Sequence, residues 1–156
     1  MKLPSEVLDC LLGKTLATAE SCTGGLIGSM LTAVPGSSAV YKGGVISYCN
    51  EIKHHLLGVP EELLERYGAV SAPVAEAMAV GAAKTLGTDV SVSVTGLAGP
   101  GGDEFGNPVG RVYIGYWDAT GGEAREFTFR GDREEVRHQA AEAALKFILE
   151  KQKKRP

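Results

Sequence analysis

The sequence has little of what usually announces a protein's chemistry. Aromatic residues make up 6% of it, with one tryptophan, and there are only three cysteines and three histidines. Cys10, Cys22 and Cys49 are odd in number and lack CxxC spacing, which argues against both a disulfide framework and a zinc site. His54 and His55 are adjacent, and neighbours on a helix point in different directions, so no shared metal is expected. No apolar run approaches the roughly 20 residues of a membrane span. The opening MKLPSEVLDCLLGK has an acidic helix pattern unlike a secretory signal, so a cytoplasmic protein without membrane contact is expected. Positive charge is also scarce. A formal net charge of −3 offers no general pull on nucleic acid. The one basic run, Lys151 to Arg155, reads as part of a frayed, solvated tail over residues 151–156.

What remains is an ordinary globular composition, 44% apolar and 22% charged, with 21 glycines in separate clusters that mark loops. The 156 residues fit a single domain over 1–156. A helix is predicted from Ser5 to Leu12, with Val7, Leu8, Leu11 and Leu12 on its apolar face and Cys10 in the core; Gly13 ends it. A short buried strand follows over Thr15 to Ala19. A helix over Gly24 to Ala33 then stops at Pro35-Gly36.

A strand over Val40 to Ser47 leads to a helix from Asn50 to Leu57 closed by Gly58, and Pro60-Glu61-Glu62 opens another. Ser71 is a candidate N-cap for a helix to Leu86, with Val74, Met78 and Ala82 on one stripe. Val90 to Val94 is the next strand. Val109 to Trp117 and Ala124 to Arg130 read as a hairpin around Thr120-Gly121-Gly122, before a last helix from Arg133 to Lys151. Alternating strands and helices with one late hairpin make an α/β sandwich on a mixed sheet.

Ligands of open α/β sheets bind beyond the carboxyl ends of strands, and three loops stand there: ESCTGG, YCNEIK and TGLAGPGG. Ser21 precedes a glycine-flanked helix start, where the N–H groups of Thr23, Gly24 and Gly25 can face a developing oxyanion. That suits an acyl-transfer nucleophile, although Ser21 or Thr23 can equally be an N-cap. Cys22 is a rival nucleophile or a buried structural thiol. Tyr48, Asn50 and Lys53 converge near one strand end; with no suitable histidine, Lys53 can act as base if its pKa is lowered, or it is a solvated helix lysine. The Thr95 to Gly102 run is an anion-holding turn or a flexible connection, and fits neither a Walker A motif nor a dinucleotide fingerprint. Arg133 and Arg137 can hold a phosphate or pair with Glu134 and Asp132.

Together AESCTGG, YCNEIK, GAVS, TGLAGPGG and GDREEVR resemble the C-terminal domain of the competence-inducible protein CinA, over about Val7 to Leu149. That family includes stand-alone nicotinamide-nucleotide amidases. The resemblance implies a three-layer α/β/α sandwich and hydrolysis of nicotinamide mononucleotide to nicotinate mononucleotide and ammonia, without metal or cofactor. It implies Ser21 as nucleophile, Lys53 as base and Tyr48 as its partner. It implies a substrate site drawn from Glu20, Thr23, Gly24, Gly25, Asn50, Thr95, Gly96, Ala98 and Gly99, with Arg133 or Arg137 on the phosphate. The expected partner is a small pyridine mononucleotide, and a homo-oligomer, most simply a dimer, is expected. Cys49 departs from the family, which commonly has serine there, and the larger N-terminal domain of full-length CinA proteins has no counterpart in the matched motifs. The alternative is a module of the same fold that binds a nucleotide or a partner and no longer turns over.

Overall fold

The structure, a computed structural model, describes residues 2–153. Its elements run α1 (Lys2–Cys10), β1 (Leu16–Glu20), α2 (Leu26–Thr32), a short 3-10 turn (Ser37–Ala39), β2 (Tyr41–Ile46) and α3 (Asn50–Leu57). They continue with α4 (Glu61–Tyr67), α5 (Ala72–Leu86), β3 (Val90–Gly96), β4 (Arg111–Asp118), β5 (Gly121–Thr128) and α6 (Arg133–Lys153). The five strands form one sheet in the order β2-β1-β3-β4-β5. β1 pairs in parallel with β2 and β3, while β3–β4 and β4–β5 are antiparallel, so the sheet is mixed.

Period-2 alternation along the strands sorts side chains to two unlike faces. Leu16, Val90, Val92, Val94, Val112, Ile114 and Tyr116 join α1, α2 and α6 in a large apolar cluster that includes Leu11, Ile27, Leu31, Phe147 and Ile148. On the other face Ala17 and Ala19 meet Leu57, Val59, Leu64, Val74, Met78 and Ala82 of the α3 to α5 side. Helices thus cover both faces of the mixed sheet that the alternation of elements predicts, giving the three-layer α/β/α sandwich that the resemblance implies.

Several local expectations change. Gly13 does follow the first helix, but the helix ends at Cys10 and Leu12 lies in the turn beyond it, 67% exposed and off the apolar face. Cys10 is only half-buried, its thiol donating to Val7 O at 3.1 Å. The hairpin turns at Ala119-Thr120, two residues before the predicted glycines. Asp118 fixes it there, accepting from the Thr120 N–H at 2.8 Å and hydroxyl at 2.6 Å. The basic tail is not frayed where it is described: residues 151–153 continue α6, and Lys151 Nζ donates to Glu123 Oε1 at 2.9 Å. Residues 154–156 lie outside the described residues. Among the described residues no helix is long and apolar enough to cross a membrane.

Candidate active site

Three parallel strands end on the same edge of the sheet, and the chain leaves them in different directions. From β1 it crosses one face through α2; from β2 it crosses the other through α3, α4 and α5. The crevice between such divergent connections is where open α/β sheets take ligands. Here it opens into a cavity of about 1260 Å³. Ser21 enters it from the end of β1, Tyr48, Asn50 and Lys53 from β2 and α3, and Thr95 to Pro100 from the end of β3.

The turn after β1 is built around a buried carboxylate. Glu20 Oε1 accepts from the Thr23 hydroxyl at 2.7 Å and the Ile27 N–H at 2.9 Å, while Oε2 accepts from the Gly28 N–H at 3.0 Å. These donors include the first turn of α2, so Glu20 satisfies amide groups that neither Ser21 nor Thr23 caps; the residue at the N-cap is Gly25, with no side-chain cap. Gly24 and Gly25 take φ +58° and +102°, which lets the chain reverse within two residues. Arg137 braces the outside of this turn, Nε donating to Cys22 O at 3.0 Å and a terminal nitrogen to Thr23 O at 3.1 Å.

This arrangement frees Ser21 from capping and sets it against a lysine. Ser21 is 7% exposed, and Lys53 Nζ lies 3.1 Å from its Oγ. Lys53 is 1% exposed and also donates to Ser47 O at 2.8 Å and Tyr48 O at 3.5 Å. Burial lowers its pKa from 10.5 to about 8, because a desolvated ammonium loses its hydration and no carboxylate touches it. As a neutral amine Lys53 can point its two hydrogens at the two carbonyls and its lone pair at Ser21. The Gly24 N–H donates to Ser21 O at 3.1 Å and is not free for an oxyanion. The N–H groups of Cys22 and Thr23 have no acceptor among the described residues.

Tyr48 does not pair its hydroxyl with Lys53, the partner that the resemblance implies for it. Its side chain is 63% exposed, and its hydroxyl accepts from Arg133 at 3.1 Å instead of meeting Lys53. Arg133 also donates to Gly99 O at 2.6 Å, tying the glycine loop, the start of α6 and Tyr48 together at one end of the cavity. Of the expected substrate residues, Asn50, Thr95, Gly96, Ala98, Gly99 and Arg133 line the cavity. Thr95 is nearly buried, its hydroxyl donating to Ala69 O at 2.8 Å. Glu20, Thr23, Gly24, Gly25 and Arg137 do not line it; they form and brace the turn that presents Ser21.

Burial pushes the Cys22 thiol up to about 11, so a thiolate nucleophile is disfavoured. Cys49 is exposed, and what it gives the site is a main-chain carbonyl that accepts the Lys53 N–H at 3.1 Å. Sequence reasoning missed the grip on Lys53 by the carbonyls of Ser47 and Tyr48, which as backbone groups leave no signature in residue type. It also missed the wall formed by Leu97, Gly68 to Val70 and Phe105, although GAVS already stood out as a motif.

Both the sequence and the fold of the chain match known proteins. The family model of the CinA C-terminal domain matches residues 2–152. The chain belongs to that family. A CinA-like protein of Parasynechococcus marenigrum is 59% identical over 121 residues, covering 78% of this chain and 29% of the relative. One of Desulfotalea psychrophila is 52% identical over 136 residues, covering 87% and 33%. The chain therefore spans about a third of the length of these CinA-like relatives. The crystal structure of competence damage-inducible protein A from Klebsiella pneumoniae superposes with a TM-score of 0.96 at 35% identity, covering 99% of this chain and 98% of that one. The competence/damage inducible protein CihA of Agrobacterium tumefaciens gives 0.91 at 37% identity, covering 96% and 93%.

Proposed function

We propose that this CinA-type domain is an amidohydrolase that converts nicotinamide mononucleotide to nicotinate mononucleotide and ammonia. The observation that carries the reading is the buried Ser21–Lys53 pair, 3.1 Å apart, in which burial pushes the lysine pKa down to about 8. Lys53 takes the Ser21 proton as Oγ attacks the carboxamide carbon. The N–H of Cys22, which lines the cavity and has no acceptor among the described residues, serves the oxyanion, and the Lys53 ammonium returns the proton to the departing ammonia. Water, deprotonated by the neutral Lys53, then cleaves the acyl ester and regenerates Ser21.

The choice of substrate rests on the CinA-type motifs and on the cationic end of the cavity. Arg133 lines the cavity and brings a guanidinium suited to a phosphate there, while Arg137 lies outside the lining, bonded to the carbonyls of Cys22 and Thr23. Tyr48 belongs to this binding end through its bond to Arg133. The pyridinium charge of the substrate further disfavours a protonated Lys53 and draws electrons from the carboxamide. The thiol of Cys49 makes no hydrogen bond among the described residues, so the departure from serine leaves the Ser21–Lys53 contact intact.

Ammonia release from nicotinamide mononucleotide by the purified protein, alongside Ser21→Ala, tests the reading. Release by the wild type that falls by roughly 10³-fold or more in the variant, with ligand binding retained, is the expected result. A well-folded wild type that binds the nucleotide without releasing ammonia would replace the amidase by a binding module. The sign of the pH dependence follows from the base: kcat/KM rises about tenfold per pH unit up to about 8, as Lys53 becomes neutral, and is level above it.

A further inference from the structure

The cavity that Ser21 and Lys53 line is also lined by an aromatic ring with no ring partner among the described residues. Of the four phenylalanines, Phe127 and Phe129 stack on each other and Phe147 stacks on Tyr116. Phe105 has no ring partner among the described residues, lines the cavity and is 44% exposed. A half-exposed aromatic in a glycine-rich loop would ordinarily be a mobile tip. This one is fixed from two sides.

Asp103 Oδ1 accepts from the N–H groups of Phe105 at 3.1 Å and Asn107 at 2.9 Å, closing the turn that carries the ring. The Asn107 amide then donates to Asp103 Oδ2 at 2.8 Å and to Val70 O at 3.1 Å, fastening that turn to the α4–α5 connection. The ring itself lies on Gly68, with Cδ2 and Cε2 only 2.5 and 2.7 Å from where a Cβ would stand. Gly68 also takes φ +78°, so any other residue there would be strained and would displace the ring. One edge of Phe105 is therefore seated on backbone, in a residue that also lines the cavity.

A preorganised aromatic face in the same cavity as a polar reacting pair suits a flat, cationic heteroaromatic ring, which gains both stacking and attraction to the π face. Resting on the amidase reading for the identity of the ligand, we propose that Phe105 is a specificity-determining residue whose ring is the stacking platform for the substrate's pyridinium. It touches no reacting atom, so its contribution is to binding.

The test is a series at this position, read by ammonia release and by calorimetric binding of nicotinamide mononucleotide. Phe105→Leu keeps an apolar group over Gly68 but removes the π face, and is expected to raise KM and Kd about fivefold to thirtyfold, with kcat within about twofold. Phe105→Trp keeps KM within about twofold of the wild type, and the indole fluorescence added at this position is quenched when the nucleotide binds. A merely structural role predicts the reverse pattern, with Leu equal to wild type and no quenching, and that result overturns the platform. If the wild type binds the nucleotide without turnover, the amidase fails while the Kd series still decides on Phe105. A wild type that binds no nucleotide overturns both.

Discussion

The two faces of the sheet are packed on different terms. On the face toward α1, α2 and α6, large side chains interdigitate, with Leu11, Ile27, Leu31, Phe147 and Ile148 closing on Val92, Ile114 and Tyr116. On the face toward α5 the sheet offers Ala17, Ala19, Ser91, Ser93 and Gly115, and the helix comes close to the backbone. Ser91 and Ser93 donate from β3 to the carbonyls of Ala79 and Ala75 in α5, each at 2.5 Å. A Cβ on Gly115 would collide with Ala75 O, and one on Gly81 with Leu57 O. The first face buries area and supplies stability; the second buries little per residue and supplies position. It is the second that sets α3 on α5, and α3 carries Lys53 to Ser21.

Mutations can separate these roles. Phe147→Ala empties part of the apolar face and should lower unfolding free energy by about 3–5 kcal/mol in denaturant titration, while kcat of the protein that remains folded is unchanged. Gly81→Ala drives a methyl into the α3 carbonyl and should cost about 1–3 kcal/mol. Because it displaces α3, its kcat/KM should fall by roughly tenfold or more. Equal kcat in both variants would break the division between the faces. Ser93→Ala removes one helix-to-sheet hydrogen bond and should cost about 1 kcal/mol by thermal melting, with activity near wild type. The smallest effect is expected at Ser47, whose buried hydroxyl has no hydrogen-bond partner among the described residues. Ser47→Ala should leave stability and activity within about 0.5 kcal/mol, since the group that holds Lys53 is the carbonyl.

The elements were legible where glycine and proline punctuate the chain. The helix Asn50–Leu57 ends at Gly58 as the sequence predicts, and Ala72–Leu86 follows Ser71. Leu12 misled because the spacing of apolar residues extends past the last hydrogen-bonded turn. Gly121-Gly122 misled because Asp118, a side-chain acceptor, holds the hairpin turn two residues earlier. At the site, residue types and order identified the three loops but not which groups meet. Nothing local in ESCTGG shows that Glu20 occupies the amides of α2, or that Arg137 braces the turn from 115 residues away. The bond of Tyr48 to Arg133 likewise depends on where α6 starts relative to β2, which is a product of packing and not of spacing.

That the positioning face sets beside Ser21 a lysine that burial makes easier to deprotonate is open to direct measurement. An NMR titration of the Lys53 ε carbon in the intact protein, assigned by comparison with Lys53→Arg, should show a midpoint near 8. A midpoint near the ordinary 10.5 would leave almost no neutral Lys53 at pH 7, where a midpoint near 8 keeps about a tenth of it neutral, and the base assignment would be contradicted.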